Sequence, residues 1–331
     1  MNTTRERLHF PNFHRFLILI WMVVLLTGST SNTGFFNHVT AASDLTIVAA
    51  GDWGCTANTR DTVANIKNSS ANLVLALGDY SYSDTPSCWL NIVKPINSIT
   101  RINIGNHDDL NATLLRSYLN YFGLSKQYNS YNIQNVHILT MSTELPFAAG
   151  SKQYNFVLED LKSAARNPST KWIIVNLHTP LYTSPNTCIE YTCTGHKILR
   201  ETYHPLFDKF GVDLVLEGHI HNYQRSYPIS CNPKNLSSPT VTSTSKNNYN
   251  NPEGQIYVIV GTGGVNLQGL SGQAPYTVLQ QDSKFGILEM NFSKNKLSAN
   301  FISNDGSILD QFKITKRTSH STVITNCGLI P

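Results

Sequence analysis

Side chains able to bind a metal ion gather in five short segments, each close behind an apolar stretch. The segments are Gly51-Asp52-Trp53-Gly54, Gly78-Asp79-Tyr80-Ser81-Tyr82, Gly105-Asn106-His107-Asp108, Val175-Asn176-Leu177-His178 and Gly218-His219-Ile220-His221. Carboxylate, phenol, amide and imidazole together suit hard and borderline cations. A preceding glycine lets the chain turn sharply onto a shared centre. In open α/β sheets ligands gather at the carboxyl ends of strands, so these segments are expected to converge on one rim.

The spacing is compatible with two ions sharing the set. Residues two apart in an extended segment face the same side, roughly 7 Å apart along the chain. His219 and His221 can therefore each reach one of two ions ~3.5–4 Å apart. Asp79 and Tyr82, three apart, suit a single turn. Asp52, Tyr82 and His221 are assigned to the first ion, and Asn106, His178 and His219 to the second, with Asp79 bridging both. The anionic oxygens of the first site fit a trivalent ion such as ferric iron. The imidazoles and neutral amide of the second fit divalent zinc, manganese or iron. Such a pair against three anionic ligands keeps a net charge of about +2, matched to a phosphate dianion.

Taken in order, the segments read GDxG, GDxxY, GNHE/D, VxxH and GHxH. In this the chain resembles the metallophosphoesterase superfamily, and within it the small, single-domain purple acid phosphatases, from about Asp44 to Tyr227. One such block recurs by chance; five in order do not. The resemblance implies hydrolysis of phosphate monoesters by in-line attack of a metal-bound hydroxide at an Fe(III)–M(II) pair, with activity at acidic pH. It implies that His107 stabilises the transition state or protonates the leaving group. Many relatives carry a ligating histidine where this chain has Gly54, and Tyr82 stands in for it. A second substrate histidine is expected shortly after the VxxH block; Thr187-Cys188 occupies that place, and His196 is the nearest candidate.

The elements that must position these residues alternate at first. Leu45–Ala50, Leu73–Leu77 and Ile102–Ile104 read as strands, with helices from an Asn58 cap to Lys67 and over Trp89–Ser98. Lys171–Leu177 (strand), Lys197–Phe210 (helix) and Val212–Leu216 (strand) follow. The closing third is strand after strand: Ile256–Val260, Lys284–Phe292, Leu297–Ser303 and Ile308–Ile314, with a hairpin turn at Asn304-Asp305-Gly306. The expected class is α/β, two packed mixed β-sheets flanked by helices. Residues 230–254, rich in Ser, Thr, Asn and Pro, read as a surface excursion. Gly261-Thr262-Gly263-Gly264 lacks a P-loop lysine and reads as a close-approach loop near the metal rim.

Whole-chain properties bound the setting. The 331 residues are 40% hydrophobic and only 14% charged. Arg5, Arg7 and Arg15 against Glu6 account for +2 of the net +4, which leaves +2 for the remainder. That is too little to indicate a nucleic-acid partner. The basic start and the apolar run Phe16–Leu26 read as a signal peptide or N-terminal anchor over residues 1–42. Export follows, with membrane contact only through an uncleaved segment. The catalytic domain is expected over 43–316 and a tail over 317–331. Six cysteines suggest disulfides: Cys188–Cys193, Cys55–Cys88 and Cys231–Cys327 are the expected pairs. Asn68, Asn111, Asn235 and Asn291 lie in glycosylation sequons.

The expected partners are small-molecule phosphate esters, with no stable protein partner. A phosphodiesterase or nucleotide hydrolase on the same metal pair is the alternative reading. A non-catalytic phosphate-binding protein would not need a complete binuclear ligand set. Tyr80 competes with Tyr82 as the phenol ligand, and Trp53 packs or flanks substrate. Asp108 and Asp109 are candidates to orient the His107 loop, while His137 and His204 read as structural.

Overall fold

The computed structural model describes residues 45–185, 194–235 and 237–317. The N-terminal segment, the end of the tail, and Cys188, Cys193 and Cys327 lie outside them.

In chain order, β1 (Leu45–Ala50), α1 (Ala57–Asn68), β2 (Leu73–Ala76), α2 (Ser87–Val93), a 3-10 segment (Lys94–Ile99), β3 (Thr100–Ile102) and α3 (Ala112–Tyr121) open the domain. The hairpin β4 (Asn129–Ile133) and β5 (Val136–Thr140) follows, then α4 (Lys152–Arg166), β6 (Trp172–Asn176), α5 (Lys197–Phe210) and β7 (Leu214–Glu217). Next come β8 (Tyr223–Ser226), β9 (Ile229–Ser230), β10 (Thr240–Val241), β11 (Asn248–Asn250) and β12 (Ile256–Val260). Last are β13 (Thr277–Gln281), β14 (Gly286–Phe292), β15 (Lys296–Ser303) and β16 (Ile308–Thr315).

Two seven-stranded sheets result, ordered β11-β16-β15-β14-β1-β2-β3 and β13-β8-β12-β7-β6-β5-β4. Both are mixed. Each has a parallel block, β1-β2-β3 in one and β12-β7-β6-β5 in the other. Alternation along the strands builds the layers. Ile47 and Ala49 of β1, with Trp172 and Ile174 of β6, enter the core between the sheets. Val48 and Ala50 face outward into a cluster with α1, α2 and α3; Ile173 and Val175 do the same beneath α4 and α5. The order is helices, sheet, sheet, helices, as the sequence pattern predicts.

The sheets are tied by more than apolar contact. Tyr223 stacks on Phe301 at 4.2 Å between ring centroids. Arg225 on β8 forks onto Asp310 on β16 at 2.5 and 2.8 Å, and the Tyr223 hydroxyl donates to the same carboxylate at 2.7 Å. Removing one member of such a buried pair typically costs ~3–5 kcal/mol, because the other charge is left uncompensated.

Several boundaries differ from the sequence reading. Thr56, not Asn58, caps α1, its Oγ1 accepting from Thr59 N at 3.1 Å. The Trp89–Ser98 helix divides, because Pro95 has no N–H to donate: α-helix ends at Val93 and a 3-10 turn continues. β3 lies two residues early, since β2 is four residues long and its ladder ends at Ala76 opposite Ile102. The 230–254 stretch is not wholly superficial. Tyr249 on β11 is buried, and its hydroxyl accepts from Arg225 at 2.9 Å. The Asn304-Asp305-Gly306 turn joins β15 to β16 antiparallel, with Gly306 at φ 86°. Cys55 and Cys88 are bonded, and Cys231 is also in a disulfide.

Candidate metal centre

The carboxyl ends of the two parallel blocks meet at one edge of the sandwich. Gly51 N, past the end of β1, donates to Val260 O at the end of β12 at 2.8 Å. His178 Nδ1, past β6, lies 2.8 Å from Leu77 O, past β2. Strands from different sheets thus deliver their following residues to one place.

Two overlapping clusters form there. In the first, the Tyr82 hydroxyl lies 2.9 Å from His221 Nε2, 3.3 Å from Asp52 Oδ1 and 3.3 Å from Asp79 Oδ2. His221 Nε2 is 3.4 Å from Asp52 Oδ1. In the second, Asn106 Oδ1 lies 3.2 Å from His178 Nε2 and 3.0 Å from His219 Nδ1. His178 Nε2 is 3.3 Å from Asp79 Oδ2. Ligands ~2.1 Å from a common ion lie ~3.0 Å apart at right angles and ~3.4 Å apart at the tetrahedral angle. Both clusters have that spacing, and they share one atom, Asp79 Oδ2. The other Asp79 oxygen is committed to His107 N at 2.8 Å.

The surroundings hold the lone pairs inward. Nδ1–H of His178 donates to Leu77 O and Nδ1–H of His221 to Asn266 O at 2.9 Å, which leaves each Nε2 facing the cluster. Asp108, fully buried, accepts from Asp79 N, Tyr80 N and Gly105 N at 2.7, 2.9 and 2.9 Å. It pins the Asp79 and Asn106 loops together.

The backbone is strained where the chemistry lies. Among the described residues seven non-glycine residues have positive φ, and four of them are Asp52 (60°), Asp79 (57°), Tyr82 (52°) and His219 (68°). Such conformations cost of order 1–3 kcal/mol each and persist where packing over-determines them. Close approach adds a constraint: a Cβ on Gly105 would stand 2.2 Å from Asp79 Oδ1. The Gly261–Gly264 loop lies against the rim as its glycines suggest. Gly263 N donates to Gly51 O at 2.8 Å, and a Cβ on Gly261 would stand 2.8 Å from Asp52 Oδ2.

Charge is finely divided among the protein's own groups. Burial pushes Asp52 up to about 6 against the pull of His221 and His178. Burial also penalises the Asp79 carboxylate, but His178 outweighs it and holds that group down to about 2. His178 opposes its own burial through Asp79 and Asp52 and rises to about 10. His219, buried beside His178, falls to about 3. Burial, and then Asp52 and Asp79, push the Tyr82 phenol far above its ordinary range. A His178 imidazolium and a ligating His178 Nε2 are competing states. Leu77 holds the Nδ1 proton in both, and the Nε2 proton is the one a cation displaces. The donor set fits an ion pair: three acidic oxygens whose ionisation a cation would favour, and two imidazoles with their tautomers fixed.

Other anticipated residues have distinct places. The His107 ring lies 4.4 Å from the Tyr82 ring, centroid to centroid, on the rim. Tyr80 is buried, stacked on Trp89 at 4.1 Å, with its hydroxyl donating to Ala76 O, so it packs. Trp53 is buried edge-on to Trp89 and packs as well. His196 stands apart. It is the N-cap of α5, its Nδ1 accepting from Leu199 N at 3.3 Å and its ring 5.4 Å from Phe147. These contacts, among the described residues, are with the helix and a neighbouring loop and not with the seven candidate ligands. His137 lies between Asp160 and Asn132, and His204 against Tyr182, both in polar packing.

One rim residue was not anticipated. Glu144 follows β5, which pairs in parallel beside β6. Its Oε1 accepts from Thr143, whose hydroxyl accepts from Thr179, the neighbour of His178. Burial raises its pKa. The apolar run Val136–Thr140 was the signal that would have placed it at a strand end.

Helices flanking two mixed sheets, with carboxylates and imidazoles gathered at the strand ends, define a metallophosphoesterase fold. Residues 39–223 match the calcineurin-like phosphoesterase family, and residues 254–311 match the iron/zinc purple acid phosphatase-like protein C family. The chain belongs to the calcineurin-like phosphoesterase family, with the purple acid phosphatase type of C-terminal region. It is 30% identical over 264 residues to a phosphoenolpyruvate phosphatase of Allium cepa, covering 70% of this chain and 52% of that protein. To purple acid phosphatase 21 of Arabidopsis thaliana it is 28% identical over 241 residues, covering 67% and 50%. The chain thus spans about half the length of these relatives. A purple acid phosphatase structure from yellow lupin (Lupinus luteus) seeds shares the fold, with a TM-score of 0.71 at 22% identity over 84% of this chain and 55% of that one.

Proposed function

We propose that this protein is an exported, metal-dependent acid phosphatase that hydrolyses small-molecule phosphate monoesters at a ferric ion paired with divalent zinc, manganese or iron. The observation that carries the reading is Asp79 Oδ2, 3.3 Å from both Tyr82 Oη of one cluster and His178 Nε2 of the other. A single ion would not need a carboxylate oxygen shared between two complete ligand groups.

Asp52, Tyr82 and His221 would hold the trivalent ion, Asn106, His178 and His219 the divalent one, and Asp79 both. When bound, the pair supplies Lewis acidity, acidifying water and neutralising phosphoryl charge. The chain's own residues do the rest. Asp108 fixes the loops that carry Asp79 and Asn106, and the carbonyls of Leu77 and Asn266 hold two imidazoles in the ligating tautomer. His107, on the rim beside Tyr82, is placed to hold a phosphoryl oxygen or to give a proton to the leaving oxygen.

Export is supported by the basic and apolar start of the sequence and by the disulfides at Cys55–Cys88 and Cys231. Among the described residues no helix is long and apolar enough to cross a membrane.

Rates on p-nitrophenyl phosphate and bis(p-nitrophenyl) phosphate test the proposal. Monoester turnover well above diester turnover, with an acidic optimum, is expected. Preferred diester cleavage would move the protein to the phosphodiesterase reading, and binding of phosphate without turnover would make it a non-catalytic member of the fold.

A further inference from the structure

The loops bearing Asp52 and Tyr82 run side by side, and their connection weakens outward. Asp52 N donates to Gly78 O at 3.0 Å and Trp53 N to Asp79 O at 2.9 Å. Beyond Trp53 the tie between the two loops is the Cys55–Cys88 disulfide, Cα atoms 5.9 Å apart. Cys55 is three residues past Asp52 and Cys88 six past Tyr82. Cys55 Sγ also rests 3.6 Å from the carbonyl of Ser81, next to Tyr82.

Tyr82 needs such a tie. It has φ 52°, and the exposed residues Ser83, Asp84 and Thr85 follow it. Ser81 Oγ donates to Ser83 O and Ser83 Oγ to Thr85 O, both within that loop. Strained φ values persist only where the surroundings over-determine them. Asp52, at φ 60°, lies on the other loop of the same clamp. Of the second cluster's residues, Asn106, His178 and His219 lie on neither loop, and the shared Asp79 is fixed apart from the disulfide, its N donating to Asp108 at 2.7 Å and its Oδ1 accepting from His107 N at 2.8 Å.

We propose that the Cys55–Cys88 disulfide is the positioning element for the first ion, and that opening it weakens retention of that ion while leaving the second in place. The inference rests on the binuclear reading above. The bond borders an open surface cavity of about 500 Å³ lined also by Arg60, Val63, Asn91 and Ile92, so a reductant can reach it. A dithiol would attack one sulfur, and its second thiol would resolve the mixed disulfide. Cys55 and Cys88 would leave as thiols and the reagent as its own disulfide.

The test uses the full exported chain loaded with iron and zinc, and its Cys55→Ser/Cys88→Ser double variant. Metal per chain is followed by mass spectrometry during exposure to a chelator. Iron release about tenfold faster or more is expected in the variant, the size typical of lost supporting contacts, with zinc release unchanged. Iron release at the wild-type rate overturns the inference alone. Iron and zinc lost faster in parallel also overturns it, since that is general destabilisation. A wild-type chain that binds no pair of ions removes the binuclear reading and the inference with it. If the variant does not fold, wild-type protein loaded with gallium(III) and zinc, neither of which is reducible here, is opened with a phosphine and checked by peptide mapping. Faster gallium release alone supports the assignment; unchanged gallium release overturns it.

Discussion

Asp79 and His178 come from different sheets and face each other at 3.3 Å, Oδ2 to Nε2, with both side chains buried. Asp79 follows β2 and His178 follows β6, so neither sheet alone builds the centre. The contact ties the two ligand groups to the packing of the sandwich.

Replacing Asp79 with Asn keeps the shape but removes the charged oxygen both clusters share. Asp79→Asn should lose both metals and reduce kcat/KM by more than ~100-fold, beyond the 10–100-fold typical of supporting residues. Metal analysis with kinetics checks this, and full occupancy with full activity would deny the bridge.

His107→Ala should behave differently. Its backbone N holds Asp79 Oδ1, but its side chain is free of the clusters' short contacts among the described residues. Both ions should remain bound while kcat falls by about 10²–10⁴, as for a lost acid–base group. Loss of one ion would instead make His107 a ligand.

The placement of His196 predicts a modest effect. His196→Ala removes a helix cap, and such losses cost ~0.5–2 kcal/mol. Unfolding should shift by that amount while turnover stays near wild type. A large fall in kcat at unchanged stability would return His196 to the substrate, the role the sequence suggested.

Metal binding should release protons in a pH-dependent number. Asp52, raised to about 6, is largely protonated at pH 4.5 and ionised at pH 8, whereas His178, raised to about 10, is protonated at both. Loading at pH 4.5 should therefore release more protons than at pH 8, the excess including the one on Asp52. The linkage signs agree. The raised Asp52 pKa favours the fold below pH ~3.8 and loses that contribution as pH rises through 6. Raised His178 contributes below pH ~6.5 and loses it as pH rises through 10; depressed Asp79 contributes above ~3.8 and loses it as pH falls through 2. Calorimetry of the metal-free protein in buffers of differing ionisation enthalpy gives the proton count. Asp52→Asn should reduce the difference by about one proton.

How much of this was legible depended on what each residue answers to. Asp52, Asp79, Asn106, His178, His219 and His221 follow apolar runs, so strand register and a turn suffice to bring them to one edge. The helix Lys197–Phe210 and strands Leu45–Ala50 and Ile256–Val260 were readable to the residue, because caps and alternation agree there. The β4–β5 hairpin and α4 were not read, and Glu144 was missed with them. Asn129–Ile133 is polar and only half-buried at the sheet edge, so its pattern carries little signal. The burial of Tyr249 within a polar stretch is a tertiary effect, set by Arg225 and Asp310 on distant strands. His196 is the nearest candidate to the place expected after the VxxH block, and its Nδ1 caps α5, a use that sequence spacing does not specify.

The central claim is that Tyr82 binds a ferric ion in a two-metal centre, and the visible absorption spectrum of the purified protein tests it most directly. A tyrosinate-to-iron charge-transfer band that disappears in Tyr82→Phe is the result this account predicts. A colourless protein holding two metals, or a band that survives in Tyr82→Phe, would contradict it.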